Sequence, residues 1–183
     1  RSLLEGTGRI AEVNRRNPDR AGQIAVNLSA SELGTDVLLG VDEALAASGL
    51  EPAMLVLEIT EDVIVDESVR RTLAELRSRG VTIAIDDFGT GNSSLRQLGD
   101  YPASVLKIDR SFVDGIDGDE DRLIVRAVID LAAELDLITI GEGVETAEQA
   151  ELLAAMGCVH GQGWLFDRAV PFETLERRWL QGP

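Results

Sequence analysis

The sequence predicts an α/β protein of parallel βα units, a TIM-type (β/α)8 barrel rather than an open doubly wound sheet. Three observations predict it. Apolar strand-like runs alternate with amphipathic helical stretches along the whole chain. Each run ends in polar residues at its C-terminal edge: Asn27, Glu58, Asp86 with Asp87, Lys107 with Asp109, Glu142 and Gln162. Barrels collect their sites at that face from several strands, whereas an open sheet gathers ligands mainly at one switch point. Third, six units are visible in 183 residues, while a closed barrel needs eight strands and typically ~250 residues. The expectation is therefore an N-terminally truncated barrel of about six βα units, forming one domain over residues 1–183.

Each element has its own signature. The chain opens in a poor helix, Ser2 to Arg15, interrupted by Gly6 and Gly8. Strands are expected over Gln23–Asn27, Met54–Glu58, Thr82–Asp86, Val105–Asp109 and Leu137–Glu142, with a weak one near Val159 to Gln162. Val81 to Ile85 is β-branched and nearly all apolar, as a strand buried on both faces should be. Helices are expected from Asp36 to Ser48, Glu67 to Arg79, Ser93 to Gly99, Glu120 to Leu135 and Ala147 to Met156, and after Pro171. In the Glu120 helix, Leu123, Ile124, Ala127, Val128, Leu131 and Leu135 predict one apolar face opposite Arg122, Arg126, Asp130 and Glu134. Thr146-Ala-Glu-Gln149 reads as a capping box, and Gly80 and Gly157 as helix stops.

Composition narrows the function classes. With 44% hydrophobic and 27% charged residues the chain suits a soluble domain with a substantial core. No apolar run approaches the ~20 residues of a membrane span. The opening Arg1-Ser-Leu-Leu-Glu-Gly is no signal peptide and lacks an initiator Met, so the chain reads as part of something longer. One cysteine, Cys158, fits a reducing cytoplasm. With a single His160 beside it there is no zinc set, and any metal must sit among oxygen ligands. A net charge of −16 argues against DNA or RNA polymers. It leaves room for a small phosphate ligand held through metal ions.

The most informative residues are the adjacent carboxylates Asp86 and Asp87, delivered by an apolar strand into a glycine-rich turn. Their repulsion calls for a cation or a shared proton. Taken alone, such a pair reads as one helix cap and one solvated Asp. Asn27 and Glu58 alone read as caps, Lys107 as a structural ion pair, and Glu142 with Glu145 as an acidic first helical turn. The Arg70, Arg71, Arg77 and Arg79 stretch reads as a solvated helix face, and Cys158 and His160 as structural.

Six motifs in order change the weighing: Val26-Asn27-Leu-Ser29, Leu57-Glu58-Ile-Thr-Glu61, Asp86-Asp87-Phe-Gly-Thr-Gly-Asn-Ser-Ser94, Leu106-Lys107-Ile-Asp-Arg-Ser-Phe112, Gly141-Glu142-Gly-Val-Glu-Thr146 and Gly161-Gln162-Gly-Trp-Leu-Phe166. From about Ile24 to Pro171 the chain resembles the EAL-domain family, bacterial phosphodiesterases that linearise cyclic di-GMP to pGpG. The resemblance implies a two-metal site of Mg2+ or Mn2+ with Asn27, Glu58, Asp86 and Asp87 as ligands, all hard oxygen donors. It implies Glu142 as general base and Lys107 beside the attacking water and phosphate. Glu61 would anchor the Phe88-to-Ser94 loop, Gln162 would stand near metals and substrate, and Asp109 and Glu145 would support the site. Trp164 stands where the family has Tyr or Phe, with packing as its expected task and guanine stacking as the other. Gly141 replaces Ala, Asn92 replaces an aromatic, and the Glu-Ala-Leu signature is absent from this stretch. A catalytically inactive cyclic di-GMP sensor module, or an inactive fragment, is the alternative. The resemblance also allows a homodimer and an upstream sensory or GGDEF domain in a cytoplasmic setting.

Overall fold

The computed structural model describes residues 2–34, 36–61, 63, 66–89 and 98–181. Its elements follow the alternation of the sequence: α1 (Ser2–Arg16), β1 (Ile24–Asn27), α2 (Asp36–Ser48), β2 (Leu55–Thr60), α3 (Glu67–Ser78), β3 (Thr82–Phe88), β4 (Val105–Ile108), α4 (Arg110–Asp114), α5 (Asp119–Glu134), β5 (Ile138–Gly141), α6 (Ala147–Ala155), β6 (His160–Gly161) and α7 (Phe172–Gln181). The helix expected over Ser93–Gly99 lies largely outside the described residues, and its described end is a short 3-10 turn, Leu98–Asp100. The short helix α4 carries too few residues to show a period in the sequence.

The six strands of the described residues are all parallel and lie in chain order, β1 to β6. An open doubly wound sheet reverses direction at a switch point. Here every step goes the same way. Right-handed crossovers then place all helices on one face of the sheet, which is the winding of a (β/α) barrel.

Side-chain alternation separates the two faces. In β2, Leu55, Leu57 and Ile59 are buried, while Val56 and Glu58 are only partly buried and Thr60 is exposed. The first set packs with Leu73 and Leu76 of α3, with Ile83 and Ile85 of β3, and with Leu106 of β4 in one core cluster. The register sets Asn27 beside Glu58, Thr60 beside Asp86, Ala84 beside Val105 and Lys107 beside Ile140. Because successive residues point to opposite faces, Asn27, Glu58, Asp86 and Lys107 all share the face away from the helices.

Helix boundaries obey local rules. Thr146 and Gln149 form the expected capping box at the start of α6, and Gly80 and Gly157 adopt the left-handed conformation just past α3 and α6. The predicted face of α5 is corrected. Val125, Val128, Ile129 and Ala132 are its buried residues, while Leu123 is 72% and Ile124 37% exposed and Ala127 is exposed. Both sets repeat at helical spacing and share Val128, and Leu131 and Leu135 of the expected face still pack against the core; the inward side is rotated towards Val125, Ile129 and Ala132 by the sheet it packs on.

The first and last helices meet. Arg9 pairs with Glu173 at 2.7 Å and lies over the Phe172 ring at 4.7 Å. Arg16 pairs with Glu176 at 2.8 Å, and the Trp179 indole donates to the Arg20 carbonyl at 2.7 Å.

The face assignment can be checked by paired truncations in β2. Leu57→Ala, fully buried on the helix side, should destabilise by about 2–5 kcal/mol. Val56→Ala, on the opposite face, should cost markedly less. Equal losses in denaturant unfolding would reverse the two faces.

Candidate functional site

Lys107 organises the strand ends. It stands in the middle of an apolar strand and is 3% exposed, a position where an ammonium must find partners. It finds three: Glu58 at 2.8 Å, Asp86 at 2.7 Å and Glu142 at 2.6 Å. These carboxylates come from β2, from β3 and from the residue after β5, so one cation joins three strand ends. The Gln162 side-chain amide donates to the same Glu142 Oε1 at 2.5 Å, bringing in the chain just past β6.

The electrostatics follow from this packing. Burial works against the charge on Lys107, but its hydrogen bonds to Asp86, Glu142 and Glu58 outweigh that, and its pKa lies above the ordinary lysine value. The ammonium is therefore a fixed charge. Glu142 shifts up: burial raises its pKa, and the repulsion of Asp86 and Asp87 adds to this, against the lowering pull of Lys107. Asp87 also sits above the usual aspartate range, through burial first and then the charges of Asp86 and Asp109.

Asp87 has a left-handed φ of +53°, which is uncommon for a residue with a Cβ. This turn at the end of β3 sends Asp87 to the same side as its neighbour. Asp86, Asp87 and Glu142 bring one oxygen each within 4.8 Å of one another. Three carboxylates, Glu58, Asp86 and Glu142, hold the ammonium, and Asp87 stands beside two of them. Such an excess of hard, anionic oxygen donors fits a divalent cation of the Mg2+, Ca2+ or Mn2+ type.

Other expected residues are placed differently. Asn27 ends β1, exposed and in register with Glu58, and stays outside the hydrogen-bonded group around Lys107. Glu61 is 4% exposed, and its Oε1 has no hydrogen-bond partner among the described residues. The Thr90-to-Ser94 part of the loop it was expected to anchor lies outside the described residues, as does Asn92. Asp109 caps α4 by accepting from the Ser111 amide at 2.9 Å. Cys158 donates to the His160 carbonyl at 3.3 Å, a structural bond. Trp164 is 54% exposed, and what packs on its ring is charged: the Arg168 guanidinium lies 4.4 Å and that of Arg110 5.6 Å from it.

Arg110 is the residue that sequence reading passed over. It contacts Glu145 at 2.6 Å and Asp114 at 3.0 Å. A surface arginine after a strand carries no signal of its own; only the loops it touches give it meaning. The open groove along α3, lined by Glu67, Arg70, Arg71 and Asp100, is a solvated charged flank, as expected, with Arg70 paired to Glu67 and Arg79 to Asp42.

Comparison with known proteins agrees with this geometry. The family model described as EAL domain matches residues 3–169. A relative from Pseudomonas aeruginosa, the bifunctional diguanylate cyclase/cyclic di-GMP phosphodiesterase MucR, is 44% identical over 156 residues, covering 83% of this chain and 23% of MucR. The structure of the PaMucR phosphodiesterase in complex with c-di-GMP superposes with a TM-score of 0.88 at 40% identity, over 94% of this chain and 71% of that one. Klebsiella pneumoniae BlrP1, in a manganese and cyclic di-GMP complex, gives a TM-score of 0.79 at 31% identity, over 92% of this chain and 44% of its own. The chain spans about a fifth of the length of the curated relatives it matches. The in-order parallel winding, the carboxylates at the strand ends and the match over residues 3–169 lead to one conclusion: the chain belongs to the EAL domain family.

Proposed function

We propose that this chain is the phosphodiesterase unit of its protein and hydrolyses cyclic di-GMP to linear pGpG with Mg2+ or Mn2+. The single observation that carries the reading is the convergence of Glu58, Asp86 and Glu142 on buried Lys107, with Asp87 within reach. MucR and BlrP1, both solved with cyclic di-GMP, support the choice of substrate, and the manganese of BlrP1 supports the choice of metal.

Asn27, Glu58, Asp86 and Asp87 would hold the metal pair, and bound metal would polarise the phosphodiester and activate water. The protein's own side chains do the rest. Glu142 takes a proton from the attacking water, a task suited to a carboxyl whose pKa burial raises above the ordinary glutamate value. Lys107 keeps its proton and offers positive charge where negative charge grows on the phosphoryl oxygens. Gln162 fixes the Glu142 carboxylate by its 2.5 Å bond. The water oxygen bonds to phosphorus, the bond to the ribose 3′ oxygen breaks, and that oxygen takes a proton from solvent to leave as a hydroxyl while Glu142 releases its proton to solvent. Glu61, buried just past the end of β2, acts on the site indirectly through the loop after Phe88.

No described helix is long and apolar enough to cross a membrane, and a buried free thiol at Cys158 suits a cytoplasmic location. A sensory or diguanylate cyclase unit in the same polypeptide would follow the pattern in MucR's name. Two copies would pair through the outer side of α5, where Leu123, Ile124 and Ala127 form an exposed apolar stripe.

Three outcomes test these points. Chromatography of cyclic di-GMP incubated with the chain and Mg2+ or Mn2+ should show the linear dinucleotide. Asp86→Ala should abolish it while leaving the melting temperature close to wild type, because Lys107 keeps Glu58 and Glu142. Nucleotide that binds yet stays uncut through long incubation with metal would favour a sensor over an enzyme. Second, kcat/KM should fall with acid through a pKa above the ordinary glutamate value, as Glu142 becomes protonated. Glu142→Gln should remove most activity and flatten that limb; an unchanged limb would assign the base elsewhere. Third, sedimentation should show a dimer that Leu123→Asp disperses; a monomer at all concentrations would remove the α5 contact.

A further inference from the structure

Three loops at the strand ends meet on one guanidinium. Arg110 is the first residue of α4, three positions after Lys107. Its side-chain stem lies directly on the α-carbon of Gly143, where an added Cβ would fall 2.3 Å from Arg110 Cγ and 2.8 Å from its Cβ and Cδ. Gly143 has a φ of +66°, so both the close approach and the backbone conformation favour glycine there. Beyond Gly143 the Arg110 Nη2 reaches Glu145 Oε1 at 2.6 Å, and the guanidinium carbon is 5.6 Å from the Trp164 ring.

The same turn is held from its other side by the chain around β6. The Val144 amide donates to the Gln162 carbonyl at 3.0 Å, the Leu165 amide to the Val144 carbonyl at 3.0 Å, and the Gln162 amide to the Gly141 carbonyl at 2.9 Å. Glu142 thus sits between a sheet contact on one side and the Arg110 stem on the other.

The plain reading of Arg110 is a surface ion pair with Asp114, spaced i, i+4 and worth little. That reading accounts for the Asp114 contact alone. It does not account for the pairing with Glu145, 35 residues away, nor for a glycine shaped to receive the stem.

We propose that Arg110 is a positioning residue: it clamps the Glu142–Glu145 turn so that the Glu142 carboxylate stays on Lys107 and Gln162. Its effect on rate rests on the phosphodiesterase reading; its effect on the turn does not.

The experiment uses Arg110→Ala, Arg110→Lys, Glu145→Gln and Gly143→Ala, with Arg126→Ala as control, since Arg126 makes a comparable i, i+4 pair with Asp130 on α5. Steady-state kinetics with cyclic di-GMP and hydrogen exchange of the Val144 and Glu145 amides are measured on each. Arg110→Ala should lower kcat by about 10–100-fold, the scale set by a misplaced reacting group, with KM little changed. Arg110→Lys should recover much of the rate, because a lysine stem still covers Gly143 and its ammonium still reaches Glu145. The Arg110→Ala and Glu145→Gln losses should not add. Exchange at Val144 and Glu145 should quicken in Arg110→Ala and Gly143→Ala and stay at the wild-type rate in Arg126→Ala. Wild-type kcat and wild-type exchange in Arg110→Ala would overturn the clamp, as would equal losses in Arg110→Ala and Arg126→Ala. If the wild-type chain cuts no nucleotide, the enzyme reading falls and the exchange rates alone decide the clamp.

Discussion

Everything at the strand ends depends on the ammonium of Lys107. Glu58, Asp86 and Glu142 come from separate strand units, and nothing in their own chemistry holds them together; their charges drive them apart. One buried cation reverses the sign of that interaction, reaching all three within 2.8 Å. Such a cluster does not stabilise the fold outright, because removing these groups from water costs several kcal/mol per ion before attraction offsets it. What it supplies is placement. Carboxylates set by one central cation and one amide have little freedom left.

The winding of the sheet makes that placement available. Strands laid in chain order bring every carboxyl edge to the same rim, and the register sets residues that point to the same face side by side. The helices cover the other face, so the polar side chains escape burial in the main core. Fold and site are consequences of one regularity, an apolar strand that carries its charged residue near its C-terminal end on the face away from the helices.

That regularity is why so much was legible in the sequence. Val81 to Ile85 announces a strand, and the Asp86-Asp87 pair that follows announces a charge problem. Which groups solve it was not legible. Lys107 reads as a cation in need of a partner, but only register reveals that it has three. Glu61 reads, through the resemblance, as an anchor of the Phe88-to-Ser94 loop, and its burial just past β2 comes from packing. The α5 face is ambiguous in the sequence because two apolar sets at helical spacing overlap there, sharing Val128. Period alone cannot say which of Leu123 or Val125 turns inward; the sheet it packs on decides. Arg110 was invisible for a different reason. Its meaning lies in Gly143, Glu145 and Trp164, which the sequence places more than 30 residues away.

The contact between α1 and α7 bears on the order in which the chain folds. Arg9 and Glu173 are separated by 164 residues, and Arg16 and Glu176 by 160. Closing so long a loop in an unfolded chain costs roughly 4–5 kcal/mol of entropy by the logarithmic rule. Exposed ion pairs return only about 0–1 kcal/mol each. These pairs cannot nucleate anything. Neighbouring βα units, whose partners are close in sequence, must assemble first and carry the two helices towards each other. The seam should therefore be among the last parts of the molecule to form and among the first to open.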